Sequence, residues 1–139
     1  MLSVFDHGRL APCPAPFNMA AYVLSHAKTD PTALALRVLN EETGEDWTYG
    51  ALERAVLGTA TGLLAQGALP GDKILMRLGN TVDFPLVYLG ALAAGIVPVP
   101  TSSALAAPEV AAIIAQLQPK VIVRAAEVAC QKGLNVVSV

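Results

Sequence analysis

Between Pro70 and Val123 the chain sets three short apolar runs apart with two amphipathic ones, and this order limits its folding more than any other stretch. Lys73–Leu78 (KILMRL) follows the turn pair Pro70-Gly71, and Ile96–Val99 (IVPV) and Lys120–Val123 (KVIV) repeat the theme, so three buried strands are expected. Thr81–Ala94 places Phe84, Val87, Tyr88, Ala91 and Leu92 at helical spacing and stops at Gly95, a C′ residue expected at positive φ. Pro108–Leu117 places Val110, Ile113, Ile114 and Leu117 on one stripe, and Pro119 ends it. Short buried strands joined by helical crossovers are parallel neighbours connected right-handedly. The predicted class is therefore α/β, a layered βαβαβ unit with a mainly parallel sheet covered on both faces.

The flanking segments read more simply. Residues 1–16 carry Pro12, Pro14 and Pro16 without periodicity and form a proline-rich leader; residues 17–139 are expected to form the α/β part. Asn18 can cap a helix from Met19 to about Lys28, with Ala20, Val23, Leu24 and Ala27 inward and Asp30-Pro31 closing it. Ala33–Leu39 and Glu45–Thr48 flank the turn Glu41-Glu42-Thr43-Gly44 and predict a small separate hairpin. Thr48 is an N-cap for a helix to about Gln66, with Leu52, Ala55, Val56, Thr59, Leu63 and Leu64 inward and Gly67 as its stop. Ala125–Lys132 reads as a short helix ending at Gly133, and Asn135–Val139 as a last strand.

Few residues offer chemistry. Net charge is -2 and the nine Lys and Arg are scattered, which gives no basic field for nucleic acid. Phe84–Pro108 is uncharged and long enough to span a bilayer, but Pro98 and Pro100 would break a helix in its middle. Cys13 and Cys130 lie far apart, with no histidine at metal-ligand spacing, and read as reduced thiols of a cytoplasmic protein. His7 and His26 have no partner to make a nucleophile and base. Glu41, Glu42, Glu45 and Asp46 lack the spacing of a calcium loop. Gly58-Thr59-Ala60-Thr61-Gly62 sits in a helical pattern and reads as close helix packing, not a phosphate cradle. Thr101-Ser102-Ser103 follows a strand, where open α/β sheets place ligands, but small polar residues also make a turn. Asn80 and Asp83 are expected to cap the following helix, whose start Pro85 complicates. No catalytic, cofactor-binding or metal-binding residue is therefore assigned.

Several segments, in order, resemble one family. Leu63-Leu64-Ala65-Gln66-Gly67, Pro70-Gly71-Asp72-Lys73, Asn80-Thr81-Val82-Asp83-Phe84 and Leu89-Gly90-Ala91-Leu92-Ala93-Ala94-Gly95-Ile96-Val97-Pro98-Val99-Pro100 resemble the N-terminal region of adenylate-forming (AMP-binding) acyl-CoA synthetases. Trp47-Thr48-Tyr49-Gly50-Ala51-Leu52 resembles the family's Thr-Tyr-x-Glu-Leu helix entry, and Phe17-Asn18-Met19-Ala20-Ala21 resembles its benzoate-CoA ligase branch. The chain departs from the pattern at Ala51, which leaves a capping box half made, and at Ala106-Ala107, where Leu-Thr is common. The resemblance implies a parent that activates a carboxylic acid with ATP and Mg to an acyl-adenylate and passes the acyl group to coenzyme A. The family's phosphate loop, ribose-binding aspartate, acyl pocket and catalytic lysine all follow the matched region. The expectation is thus an N-terminal fragment, inactive alone, whose partner is the remainder of the synthetase. The alternatives are a stand-alone nucleotide-binding module and a non-catalytic interaction module. The hydrophobic share of 54% against 14% charged residues also predicts self-association into a dimer or larger species.

Overall fold

All three apolar runs of the Pro70–Val123 stretch are strands of one parallel sheet. The computed structural model describes residues 8–39, 44–128 and 135–139. In chain order these hold α1 (Met19–Val23), a 3-10 turn (Leu24–Lys28), β1 (Leu34–Leu39), β2 (Gly44–Thr48), α2 (Tyr49–Ala65) and β3 (Lys73–Arg77). There follow α3 (Asp83–Ala93), β4 (Val97–Pro100), α4 (Ala107–Leu117), β5 (Val121–Arg124) and β6 (Val136–Ser138). The sheet order is β4-β3-β5-β6, with every neighbour parallel, and β1-β2 is a separate antiparallel pair. The hairpin turn at 40–43 and the second half of the predicted 125–132 helix, together with Cys130 and His7, lie outside the described residues.

Strand alternation sorts the core into two layers. Ile74 and Met76 of β3, with Val121 and Val123 of β5, face α2 and α3 and pack against Leu63, Val87 and Ala91. Leu75 and Ile122 face the other way and pack against Val110 and Ile114 of α4. Full burial of such side chains contributes roughly 1.5–3 kcal/mol each. The chain moves from β3 to β4 on one side and then across to β5 on the other, so right-handed connections must put α3 and α4 on opposite faces. A third cluster, Leu24, Leu52 and Val56, seats the N-terminal segment and the hairpin on α2 and α3.

Helix α2 begins as its sequence requires, with the Thr48 hydroxyl accepting the Ala51 N–H at 3.3 Å. Its inward set needs one correction, because Leu64 is exposed while Gly50 and Ala60 are buried. Helices α2 and α3 meet tightly at Gly90, where an added Cβ would lie 2.9 Å from Thr59 Cβ and Cγ2. Thr59 and Ala60 thus make the predicted tight packing, whereas Gly58 and Gly62 face open space. At the end of α3, Gly95 takes φ +71°; its N–H donates to Leu92 O at 3.1 Å and that of Ile96 to Ala91 O at 2.8 Å. That paired return is a Schellman motif, closed by contact of Ile96 with Ala91 in the core.

Three other expectations are corrected. Asn80 does not cap α3: the helix starts at Asp83 after Val82, which makes no side-chain cap. The third helical residue is Pro85, which has no N–H for a cap to take. The first helix is α-helical only to Val23 and then winds as a 3-10 turn. Three residues per turn stack Leu24 on Ala27, and both are buried. Of the predicted helix from Ala125, residues 125–128 instead form a turn held by Arg124, whose Nη1 donates to the carbonyls of Ala126 and Val128 at 2.7 Å.

Candidate functional site

At the carboxyl ends of β3 and β4 the two following loops part and leave a cleft of about 440 Å³. Its lining is Leu78, Gly79, Asn80, Phe84, Pro100, Thr101 and Ser102. The parallel register Met76↔Pro100 brings Asn80 and Thr101 to the same end of the sheet, although twenty-odd residues of chain separate them. A second groove of about 220 Å³ shares Asn80 and Phe84 and runs on to Leu36–Leu39 of the hairpin. Phe84 is steadied by Tyr88 one turn along α3, with the rings stacked at 6.2 Å.

The hydroxyl cluster mostly holds its own loop. Thr101 Oγ1 donates to Met76 O at 3.0 Å, in step with the Thr101 backbone N–H at 2.9 Å, so it continues the β3–β4 ladder. Ser102 Oγ accepts the Ala104 N–H at 3.2 Å, the local turn that small polar residues favour. Ser103 contributes its carbonyl to Arg77. Asn80 is left as the polar side chain that the cleft can offer, an amide beside an aromatic wall. Such a lining suits a neutral or flat group and supplies no acid, base or cation.

Between β3 and β5, where the strand order turns, stand two arginines in register, Arg77 and Arg124. Arg77 is 3% exposed. Its Nη2 donates to Ser103 O at 3.2 Å and Leu105 O at 3.4 Å, while Nε and Nη1 have no acceptor. Nothing in the residue pattern signals this: an arginine inside an apolar run reads as a strand end that reaches solvent. The guanidinium ties the end of β3 to the loop that enters α4. That loop needs the tie, because Ala106 at the N-cap has no acceptor and only Glu109 reaches back, to the Ala106 N–H at 2.9 Å.

Elsewhere the polar groups serve structure. Arg37 and Asp46 are cross-strand partners in the hairpin and form a two-pronged ion pair. Hydrogen bonding to Arg37 holds the Asp46 carboxyl below its ordinary range, and Asp46 raises Arg37 in return. Asp30 is lowered chiefly by the Thr32 hydroxyl. His26 packs edge-on against Tyr49, ring centroids 5.0 Å apart. Cys13 is exposed and unpaired. Among the described residues, no group of three His, Cys, Asp or Glu could hold a metal, and no helix is long and apolar enough to cross a membrane.

A family model described as AMP-binding enzyme matches residues 24–138. Over 76 residues the chain is 34% identical to a long-chain fatty-acid–CoA ligase of Mycobacterium tuberculosis, covering 55% of this chain and 15% of that protein. Over 80 residues it is 32% identical to a 4-hydroxybenzoate–CoA/benzoate–CoA ligase of Rhodopseudomonas palustris, covering 58% of this chain and 15% of that protein. The chain therefore spans about 15% of the length of these curated relatives. Its fold superposes on a benzoate CoA ligase from Burkholderia xenovorans with a TM-score of 0.71 and 28% identity, covering 81% of this chain and 22% of the other.

Proposed function

This chain belongs to the AMP-binding enzyme family, and we propose that it forms the N-terminal scaffold of an ATP-dependent acyl- or aryl-CoA synthetase. The complete enzyme would activate a carboxylic acid with ATP to an acyl-adenylate and pyrophosphate, then transfer the acyl group to coenzyme A. Relatives acting on long-chain fatty acids and on benzoates match at similar identity, which supports a fatty or aromatic carboxylic acid as substrate. ATP and coenzyme A are cytoplasmic reactants, which supports a cytoplasmic setting.

The observation that carries the scaffold reading is the uncharged lining of the cleft. Transfer at a phosphorus centre needs cations and hydrogen-bond donors aimed at the developing charge, and a bound Mg²⁺ needs carboxylate oxygens. The cleft lining holds no cationic side chain and no carboxylate, so a magnesium triphosphate does not fit there. The apolar and amide groups fit the role of a wall against which other segments of a synthetase build their site. We expect the 139-residue chain to show no ATP–pyrophosphate exchange above background with benzoate or a medium-chain fatty acid. Carboxylate-dependent exchange by the purified chain would sink the scaffold reading.

A further inference from the structure

Strand alternation puts Arg77 and Arg124 on one side of the parallel sheet. Each stands two residues beyond a side chain packed against α4, Leu75 on β3 and Ile122 on β5, so both arginines leave the sheet on the α4 face. They are register partners on strands about 4.8 Å apart. They also stand at the carboxyl ends where the strand order turns, the place where open α/β sheets bind ligands. Neither pairs with an acid: among the described residues the ion pair is that of Arg37 with Asp46. Arg124 spends its Nη1 on the carbonyls of Ala125, Ala126 and Val128. Arg77 makes two long contacts, both from Nη2, and its buried Nε and Nη1 have no acceptor. Both atoms are already enclosed by this chain, so nothing added outside it reaches them unless the 103–105 loop moves. A buried cation in that condition costs free energy until an acceptor arrives.

The two contacts aim the guanidinium at the first turn of α4. Ser103 O at 3.2 Å and Leu105 O at 3.4 Å lie just before Ala106, the N-cap of this eleven-residue helix. The helix dipole is positive at that end. Ala106 offers no side-chain oxygen to the N–H groups of Ala107 and Glu109, and Pro108 has no N–H. One oxyanion already sits there, the Glu109 carboxylate, which accepts the Ala106 N–H at 2.9 Å. We infer that Arg77 and the first turn of α4 form a binding site for a small oxyanion, the carboxylate or phosphate group of a ligand. The oxyanion takes the N–H groups of Ala107 and Glu109, as anions do at helix N-termini. It draws the guanidinium away from Ser103 O and Leu105 O into a charge-assisted contact. Arg124 adds a second positive charge from the adjoining strand, and Glu109 is the competitor. This inference is independent of the enzymatic reading.

Thermal melting of the 139-residue chain at fixed ionic strength tests the site, with sodium chloride replaced by sodium phosphate in one series and by sodium acetate in another. The melting temperature should rise with phosphate, acetate or both at millimolar concentration; a rise with phosphate assigns a phosphate group, and a rise with acetate alone a carboxylate. Phosphate also stabilises proteins by exclusion from their surface, so the rise should vanish in Arg77→Met, which keeps much of the volume and removes the buried charge. Glu109→Gln, which removes the competing charge, should tighten binding of the same oxyanion roughly fivefold by calorimetry. If Arg77→Met does not fold, the Glu109→Gln titration decides in its place. No rise with either oxyanion, an equal rise in a folded Arg77→Met, or unchanged or weaker binding by Glu109→Gln would each overturn the proposal.

Discussion

Helices α3 and α4 both return the chain from the carboxyl end of one strand to the start of the next, yet they are located by different means. Helix α3 adds to the core contacts of Val87 and Ala91 two places where its backbone itself is approached: Gly90 lets α2 in to the Thr59 side chain, and an added Cβ at Gly95 would lie 3.3 Å from Pro70 Cβ. Helix α4 is placed by Val110 and Ile114 against Leu75 and Ile122, with Leu105, Ile113 and Leu117 at the margin. Its end is the left-handed Gln118 at φ 50°, with one bond from its N–H to Ile114 O at 2.8 Å. A glycine contact leaves no slack, since nothing can be added. A side-chain stripe can be repacked. The first crossover should therefore be brittle and the second forgiving.

The largest effect expected from that contrast is at Gly90. Valine there must displace α2 and should cost about 3 kcal/mol, the upper end of overpacking, read as a lower urea midpoint with unchanged slope. A loss below about 1 kcal/mol would mean that the helices slide apart freely, and the contrast would fail. Gly95→Val comes next, at about 1–2 kcal/mol for a β-branched residue held at positive φ; an unchanged melt would show that the chain can leave α3 by another route. The smallest change is a gain on the forgiving side. Ala106→Ser supplies the acceptor that α4 lacks, opposite the Glu109 arm already in place, and should add about 1 kcal/mol. No gain by thermal melting would mean that the first turn of α4 is already satisfied by other acceptors.

What could be read in advance follows the same division. The strands and the two crossover helices were legible because KILMR and VIVR are buried on both faces and need no pattern beyond continuous apolarity. Gly95 and Thr48 were legible because local chemistry alone makes a Schellman turn and an N-cap. Asn80 was misplaced because the helix starts only at Asp83, with Val82 in the cap position, so the amide stands two residues before the place where it could reach the first free N–H groups. Leu64 was misplaced because helical spacing gives a stripe without its width, and the buried line of α2 runs through Leu52, Val56, Ala60 and Leu63. The cleft could not be read at all: Asn80, Phe84, Thr101 and Ser102 meet only through the parallel register of β3 and β4. Nor could Arg77, whose burial depends on how the 103–105 loop folds over it.

Asn18 divides one side chain between two helices. Its Oδ1 accepts the Ala21 N–H at 3.0 Å, opening α1, and its Nδ2 donates to Leu92 O at 3.0 Å, at the far end of α3. The two ends of that second bond are 74 residues apart in the chain. At a synthesis rate of about 5–20 residues per second, the amide emerges roughly 4–15 seconds before the carbonyl that it will bind. Helix α1 has only five residues, too few to persist on its own in water. The N-terminal segment is thus left waiting during translation, and it joins the fold as a seal applied after α3 is built.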